Sequence, residues 1–340
     1  MADGSHIEWA DATWNPVTGC SVVSPGCTNC YAMKLAGTRL AHHPSRAGLT
    51  RDSNAGPVWT GEVRLNEEWL KQPLKWSTPR RIFVCAHGDL FHENVPDEWI
   101  DRVFAVMALA PQHTFQVLTK RSARMRDYMD RACGRIGDQA MALRRTPLCI
   151  AKGLGPNGLG PLGHIEPGRQ WWPLPNVWLG VSVEDQARAD ERIPDLLETP
   201  AAKRWISAEP LLGPVDLTNI TGAEKSREYG SPVHGWSAIW KNNGLGRAWL
   251  DWVVVGGESG PGARPMHPDW ARSLRDQCQA AGVPFFFKQV GEWFHESELG
   301  WWPFGDEAIE RCQSVGEYYR VGKKAAGRLL DGREWNEVPA

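Results

Sequence analysis

Six short apolar runs recur along the chain, each closing on polar residues: RRIFVCAHGD (80–89), HTFQVLTKR (113–121), NVWLGVSVED (176–185), KRWISAEPL (203–211), LDWVVVGGES (250–259) and VPFFFKQVGE (283–292). Near-continuous apolar character over so few residues suits strands covered on both faces, as in parallel sheets. A seventh strand is expected near Thr13–Asn15. Between the runs the period changes to that of a helix. Residues 96–110 place Trp99, Val103, Val106 and Ala110 on one stripe, with Pro96 suited to a first turn. Residues 267–282 align Trp270, Leu274, Cys278 and Ala281 and stop at Gly282. Residues 122–132 and 185–199 also read as helices, the second interrupted at Pro194. Strands alternating with helices predict an α/β fold with parallel strands, arranged as a partial or complete (β/α) barrel rather than a doubly wound sheet.

Two stretches break this rhythm and read as loop insertions, at about 153–168 and 219–248. Gly153–Gly158 matches G-x-G-x-x-G, but Pro156 and the glycines after it do not open the helix that a dinucleotide site needs, so it is a loop. The expected organisation is one barrel-like domain over 1–293 and a C-terminal extension over 294–340, either a small hairpin cap or a mobile tail. Charged residues make up 23% and hydrophobic ones 42%, as in a soluble globular protein. No apolar run reaches the length of a membrane span, and the N-terminus has neither the basic start nor the apolar stretch of a secretion signal. The expected location is the cytoplasm, with no membrane partner. Net charge is −2, so no global field draws the chain to nucleic acid. Residues 120–145 nevertheless hold eight Lys or Arg against three Asp, either a solvated helix face or a patch that contacts phosphates.

The eight cysteines are too sparse for a disulfide scaffold, yet Cys20, Cys27 and Cys30 fall within eleven residues of one another, spaced C-x6-C-x2-C. Gly19, Pro25 and Gly26 supply the bends a metal-wrapping loop needs. Two metals suit such a set. Zinc would need a fourth ligand, for which His42 or His43 stands close in sequence, giving a non-catalytic module that binds nucleic acid or protein. A [4Fe–4S] cluster on three thiolates leaves one iron without a protein ligand, and so an open position for a small molecule. Cys85, Cys133, Cys149, Cys278 and Cys312 show no ligand spacing.

In parallel α/β folds functional side chains gather where strands end. Those positions hold His87 and Asp89, Lys120 and Arg121, Ser182 and Glu184, Glu209, Glu258, and Lys288 and Gln289. Glu209, Glu258, Lys120 and Lys288 are the catalytic candidates, and Asp89 and Glu184 are candidates for contact with a cofactor. Acids there suit an ammonium or a ribose, and bases suit a carboxylate or phosphate. A ring of mutual salt bridges is the competing reading, and a metal-free hydrolase built on the carboxylates is a third.

The set TWNPVTGC…PGCTNCYA, DLFHENVP, LTKRSARM, WLGVSVEDQ, SAEPLLGPVDL and VVVGGESGPGARPMHPDW resembles a phage-associated protein family of unknown function with a three-cysteine motif. That family is distantly similar to radical S-adenosylmethionine (SAM) enzymes. The resemblance implies a [4Fe–4S] cluster on Cys20, Cys27 and Cys30, SAM as cofactor, and an electron donor such as a flavodoxin or ferredoxin. Phage association implies a nucleobase or nucleotide as substrate. Cys27 and Cys30 match the second half of the usual C-x3-C-x2-C, while Cys20 is three residues further off. Asn29 replaces the usual aromatic residue, and Tyr31 stands where it can take over the ligand contact. Gly256, Gly257 and Glu258 resemble the Gly-Gly-Glu stretch that lines the SAM ammonium, although here it follows a late strand.

Overall fold

The computed structural model describes residues 5, 7–146, 148–149, 172–221, 237–239, 248–301 and 312–340. The loop at 153–168, with Gly153–Gly158, and most of the segment 219–248 lie outside the described residues. In chain order the elements are β1 (Ala12–Trp14), β2 (Val17–Thr18), α1 (Tyr31–Gly37), β3 (Thr50–Arg51), β4 (Val58–Trp59), β5 (Arg64–Leu65) and α2 (Glu67–Leu70). There follow β6 (Arg81–Val84), α3 (Asp97–Ala108), β7 (Thr114–Thr119), α4 (Ser122–Met129), α5 (Cys133–Arg144), β8 (Val177–Ser182), α6 (Gln186–Glu198) and β9 (Lys203–Ala208). The last are β10 (Trp252–Gly256), α7 (Pro268–Ala281), β11 (Phe285–Gln289), β12 (Trp293–His295), β13 (Gln313–Val315), β14 (Tyr318–Arg320) and α8 (Lys323–Ala326).

Backbone hydrogen bonds order seven strands as β1-β6-β7-β8-β9-β10-β11, and the β1–β6, β6–β7, β9–β10 and β10–β11 pairs run parallel. The fold is α/β with helical crossovers, as the alternation predicts. β1 and β11 are the two edges of that order, so the strands do not close into a complete barrel.

The chain divides into two compact units. The first comprises residues 1–23, 30–180 and 198–203, and the second residues 24–29, 181–197 and 204–340. In the first, β1 and β6 alternate cleanly, while β7 buries Gln116 between Phe115 and Val117. Ala12, Trp14, Ile82, Val84, Phe115 and Val117 form one buried face, and Trp14 donates its indole N–H to Trp69 O at 2.8 Å. In α3 the buried stripe is carried by Ile100, Val103, Phe104 and Met107, and Trp99 is only half-buried at its edge. In the second unit β10 is buried throughout, as its WVVVG sequence requires, and Trp205 pairs in register with Trp252. Residues 293–340 belong to this unit. β12-β14-β13 is a small antiparallel sheet, and Phe287 N of β11 donates to Trp335 O at 2.9 Å.

The break expected at Pro194 does not occur, because α6 runs through it. A proline inside a helix forfeits one hydrogen bond. Burial of Ile193, Leu196 and Leu197 on the same helix offsets that loss. Among the described residues no helix is long and apolar enough to cross a membrane.

The end of α7 is fixed by Gly282, whose φ of 64° is left-handed. Nothing lies within 4 Å of where its Cβ would stand, so an alanine there meets only backbone strain. Gly282→Ala is expected to cost about 1 kcal/mol, measured by urea denaturation. A neutral result would show that the C-cap does not hold this geometry in solution.

Candidate functional site

The cysteine loop begins where β1 hands over to β2. Asn15 is buried there: its Oδ1 accepts from His87 N at 3.0 Å and its carbonyl accepts from Asn66 Nδ2 at 3.0 Å. Gly19 follows with φ of 97°, and a Cβ on it would run into the Glu62 carbonyl. Only glycine suits that bend. In the first unit the chain then presents Cys20 to Arg121. Arg121 Nη1 donates to Cys20 Sγ at 3.3 Å, and the thiol donates to Ser21 O at 3.4 Å.

Arg121 is the hub of this half. Its guanidinium also reaches Asp89 Oδ2 at 3.2 Å, Glu93 Oε1 at 3.2 Å and Ser21 Oγ at 2.6 Å. Asp89 in turn accepts from Thr119 Oγ1 at 2.7 Å and from Lys120 N at 3.1 Å, so it ties the ends of β6 and β7 together. Burial pushes the Cys20 thiol up to about 12, with Asp89 adding to it and Arg121 opposing it. Cys30 is half-buried and caps α1, where its carbonyl accepts from Lys34 N at 3.1 Å. Both sulfur side chains pack beside Ala32, Met33, Ala36, Leu49 and Trp59. Tyr31 is 51% exposed, and its hydroxyl donates to Ala86 O at 2.6 Å.

The hexapeptide Ser24–Asn29, with Cys27 inside it, belongs to the second unit and is clamped there at several points. Ser24 Oγ donates to Glu184 Oε1 at 2.7 Å. Gly26 lies so close to that carboxylate that a Cβ would stand 2.5 Å from Glu184 Cγ. Arg264 Nη2 holds Pro25 O at 3.0 Å, and Asn29 Nδ2 reaches Glu258 Oε2 at 2.9 Å and Gly262 O at 2.6 Å. Because the single Ser24 hydroxyl proton goes to Glu184, the Cys27 thiol is the donor across the 3.8 Å contact to Ser24 Oγ.

Behind the turn, Glu184 is 0% exposed and pairs with Arg192, itself 1% exposed, at 3.0 Å. Glu258 receives Arg264 on both oxygens, at 2.9 and 2.7 Å, and the Arg264 backbone N–H at 2.8 Å. Burial alone would raise the Glu258 carboxyl, but the hydrogen bonds from Arg264 and Asn29 outweigh it and hold it below the usual range.

The remaining strand-end candidates also meet partners. Glu209 Oε1 pairs with Lys288 Nζ at 3.0 Å, and Glu209 Oε2 accepts from Ser207 Oγ at 3.0 Å. Gly256 leaves room for that carboxylate, since its Cβ would lie 2.8 Å from Glu209 Oε1, and a Cβ on Gly257 would strike the Val290 carbonyl. The second unit thus brings Cys27, Glu184 and Glu258 together around one turn, and the first brings Cys20 to Asp89 and the start of α4. The acids stand out in the sequence, whereas nothing local to Arg192, Arg264, Ser24 or Asn29 marks the part each plays in these contacts. Arg121 is marked in the sequence only as a strand-end base. Much of the basic run 120–145 is spent on ion pairs: Arg124 with Asp97, Arg126 with Asp127 and Glu198, and Arg135 with Asp101.

Among the described residues no group of three or more His, Cys, Asp or Glu is gathered closely enough to hold a metal ion. His43 is engaged elsewhere, with Nδ1 2.7 Å from Ser45 Oγ and its ring against Trp69. The donor set itself is of the right kind for an iron–sulfur cluster: three thiols on one short loop, with a guanidinium N–H on one of the sulfurs.

Glu184→Gln strands a buried guanidinium and is expected to cost about 3–5 kcal/mol, whereas Ser24→Ala costs about 1 kcal/mol. Both should raise amide exchange in peptides covering 24–29, as read by hydrogen-exchange mass spectrometry. Unchanged protection in both variants would remove the clamp. Glu258 has a lowered folded pKa, so its contribution is present above the ordinary Glu value of about 4.3 and fades as pH falls through the lower value. Glu258→Gln should therefore flatten the acid-side loss of stability in pH-dependent denaturation.

No curated protein matches the chain, and no solved structure matches it. A protein-family model matches residues 4–339. The chain therefore belongs to the family described as Protein of unknown function (DUF5131).

Proposed function

We propose that this chain is an iron–sulfur enzyme resembling radical SAM enzymes, with a [4Fe–4S] cluster held by Cys20, Cys27 and Cys30. The observation that carries this reading is the treatment of the cysteine loop: Arg121 donates to the Cys20 sulfur, and the Cys27 turn is pinned by Glu184, Arg264 and Asn29. Three neighbouring thiols with no metal to serve would not require so many buried charges around them. When bound, such a cluster supplies the electron that cleaves SAM and starts radical chemistry. A partial (β/α) barrel of the radical-SAM kind accords with the parallel strand order. An external electron donor of flavodoxin or ferredoxin type completes the scheme, in the cytoplasm.

The chain's own residues have definite tasks in this reading. Arg121 keeps a positive charge against one ligand sulfur and offsets the charge of the thiolates. Tyr31, half in solvent and tethered through its hydroxyl, offers a flat face to a purine or pyrimidine. Glu209 and Lys288, paired at the strand ends of the second unit, supply polar groups that orient a nucleobase or nucleotide substrate, and Lys120 of the first unit is a further candidate. Gly256, Gly257 and Glu258 form the expected SAM-ammonium stretch. Glu258 already spends its oxygens on Arg264 and Asn29, so an ammonium guest must displace one of those donors.

The test is anaerobic purification followed by iron and sulfide analysis. Wild type is expected to hold about four irons per chain, bleach with dithionite and cleave SAM reductively. Cys30→Ala should lose the iron and the cleavage together, and Arg121→Met should hold the cluster about 10–100-fold less tightly. A colourless protein carrying stoichiometric zinc would replace this reading with the zinc-stabilised binding module.

A further inference from the structure

Buried arginines in this chain are matched with acids where they have been met so far: Arg121 with Asp89, and Arg192 with Glu184. Arg46 is different. It is 5% exposed, and among the described residues no carboxylate pairs with it. It sits in the turn after α1, which is pinned from several sides. Thr18 Oγ1 donates to Ser45 O at 2.7 Å, Arg64 Nη2 donates to Ala47 O at 2.8 Å, and the other Arg64 nitrogen holds Pro44 O. The guanidinium spends one nitrogen, Nη1, on Ser45 Oγ and lies 5.7 Å from the Trp69 ring centroid. Its Nε is buried with no hydrogen-bond partner among the described residues. The edge that Nε forms with Nη2 is the one through which arginine takes an oxyanion bidentately.

A second unspent group belongs to the same part of the first unit. Thr18, which holds Ser45, is followed by Gly19, whose N–H donates to His87 O at 3.2 Å. His87 Nδ1 is buried and has no hydrogen-bond partner among the described residues. Burial first, and then the Arg46 charge, push the imidazole down to about 4, so it is neutral at pH 7 and has one N–H to give. Cys85 cannot neutralise Arg46, because burial pushes its thiol up to about 12. Burial, helped by Arg64 and opposed by Cys85, lowers Arg46 to about 10, and it keeps its charge at neutral pH. A lone buried cation beside a second guanidinium is costly to the fold unless something negative arrives.

We infer that Arg46 and His87 form a binding site for a small oxyanion, a phosphate or a carboxylate group, beside the Thr18–Gly19 segment that leads into Cys20. Arg46 supplies the fork and the charge, and His87 supplies one further N–H. The site does not depend on a metal.

The metal-free full-length chain is titrated by calorimetry, in separate runs, with inorganic phosphate, adenosine monophosphate and methionine. Saturable binding of phosphate and the nucleotide without methionine assigns a phosphate group, and the converse assigns a carboxylate. In Arg46→Met the binding is expected to fall at least about tenfold, while the ligand-free melting temperature stays level or rises because the unpaired charge is gone. Arg46→Lys keeps the charge but loses the fork, and His87→Ala loses the second donor; each should weaken binding by a smaller factor, and these two decide the matter if Arg46→Met does not fold. Absence of binding by all three probes, or wild-type affinity in the Arg46 variants, overturns the site.

Discussion

The candidate site depends first on the ion pair between Glu184 and Arg192, both withdrawn from water. A carboxylate in that position is tolerable only because a guanidinium and a hydroxyl satisfy it. Satisfied, it becomes a rigid surface against which the backbone at Gly26 can lie with no side chain between, while Ser24 is fixed by its hydroxyl. The conformation of the six residues around Cys27 follows from that contact. Arg264 and Asn29 then secure the far end of the same turn through Glu258.

The same device recurs around Cys20 with other residues. Asp89 is buried and holds Arg121, and Arg121 turns one nitrogen to the sulfur and another to Ser21. In each unit a carboxylate–arginine pair stands behind a cysteine-bearing segment, so that a polar loop is ordered by charges rather than by apolar packing. Buried ion pairs contribute little net stability compared with hydrophobic replacements, but they fix geometry well because breaking one is severe. Such an arrangement suits a loop whose task is to present thiols, and it would be a wasteful way to build an ordinary core.

The strand order was legible because each strand is a compact apolar run bounded by turns, and WVVVG at 252–256 admits little else. α7 was legible for a similar local reason, with a proline at its start and a left-handed glycine at its end. The path of α6 through Pro194 was not, since its compensation lies in burial contributed by tertiary neighbours. The clamps were illegible altogether. Ser24 and Glu184 are 160 residues apart, and Asn29 and Glu258 are 229 apart. No periodicity connects them, and a serine or an asparagine in a loop has many ordinary uses. Arg46 escaped for the opposite reason: what distinguishes it is that no acid among the described residues pairs with it, which only a structure can show.

Gly256-Gly257-Glu258 illustrates how far a motif can carry an argument. As a string it suggests a backbone that must come close to a guest. In the fold, both glycines have nearer reasons to be glycine: the Glu209 carboxylate crosses β10 over Gly256 to reach Lys288, and the Val290 carbonyl occupies the space beside Gly257. The glycines therefore carry no independent weight for SAM, because packing within the second unit already demands them. Glu258 keeps some, since a carboxylate held by exchangeable donors can hand one of them off to an ammonium. A guest that displaced Arg264 rather than Asn29 would also free the Pro25 carbonyl that Arg264 holds. Displacement of Arg264 from Glu258 would thus be felt at the turn that carries Cys27.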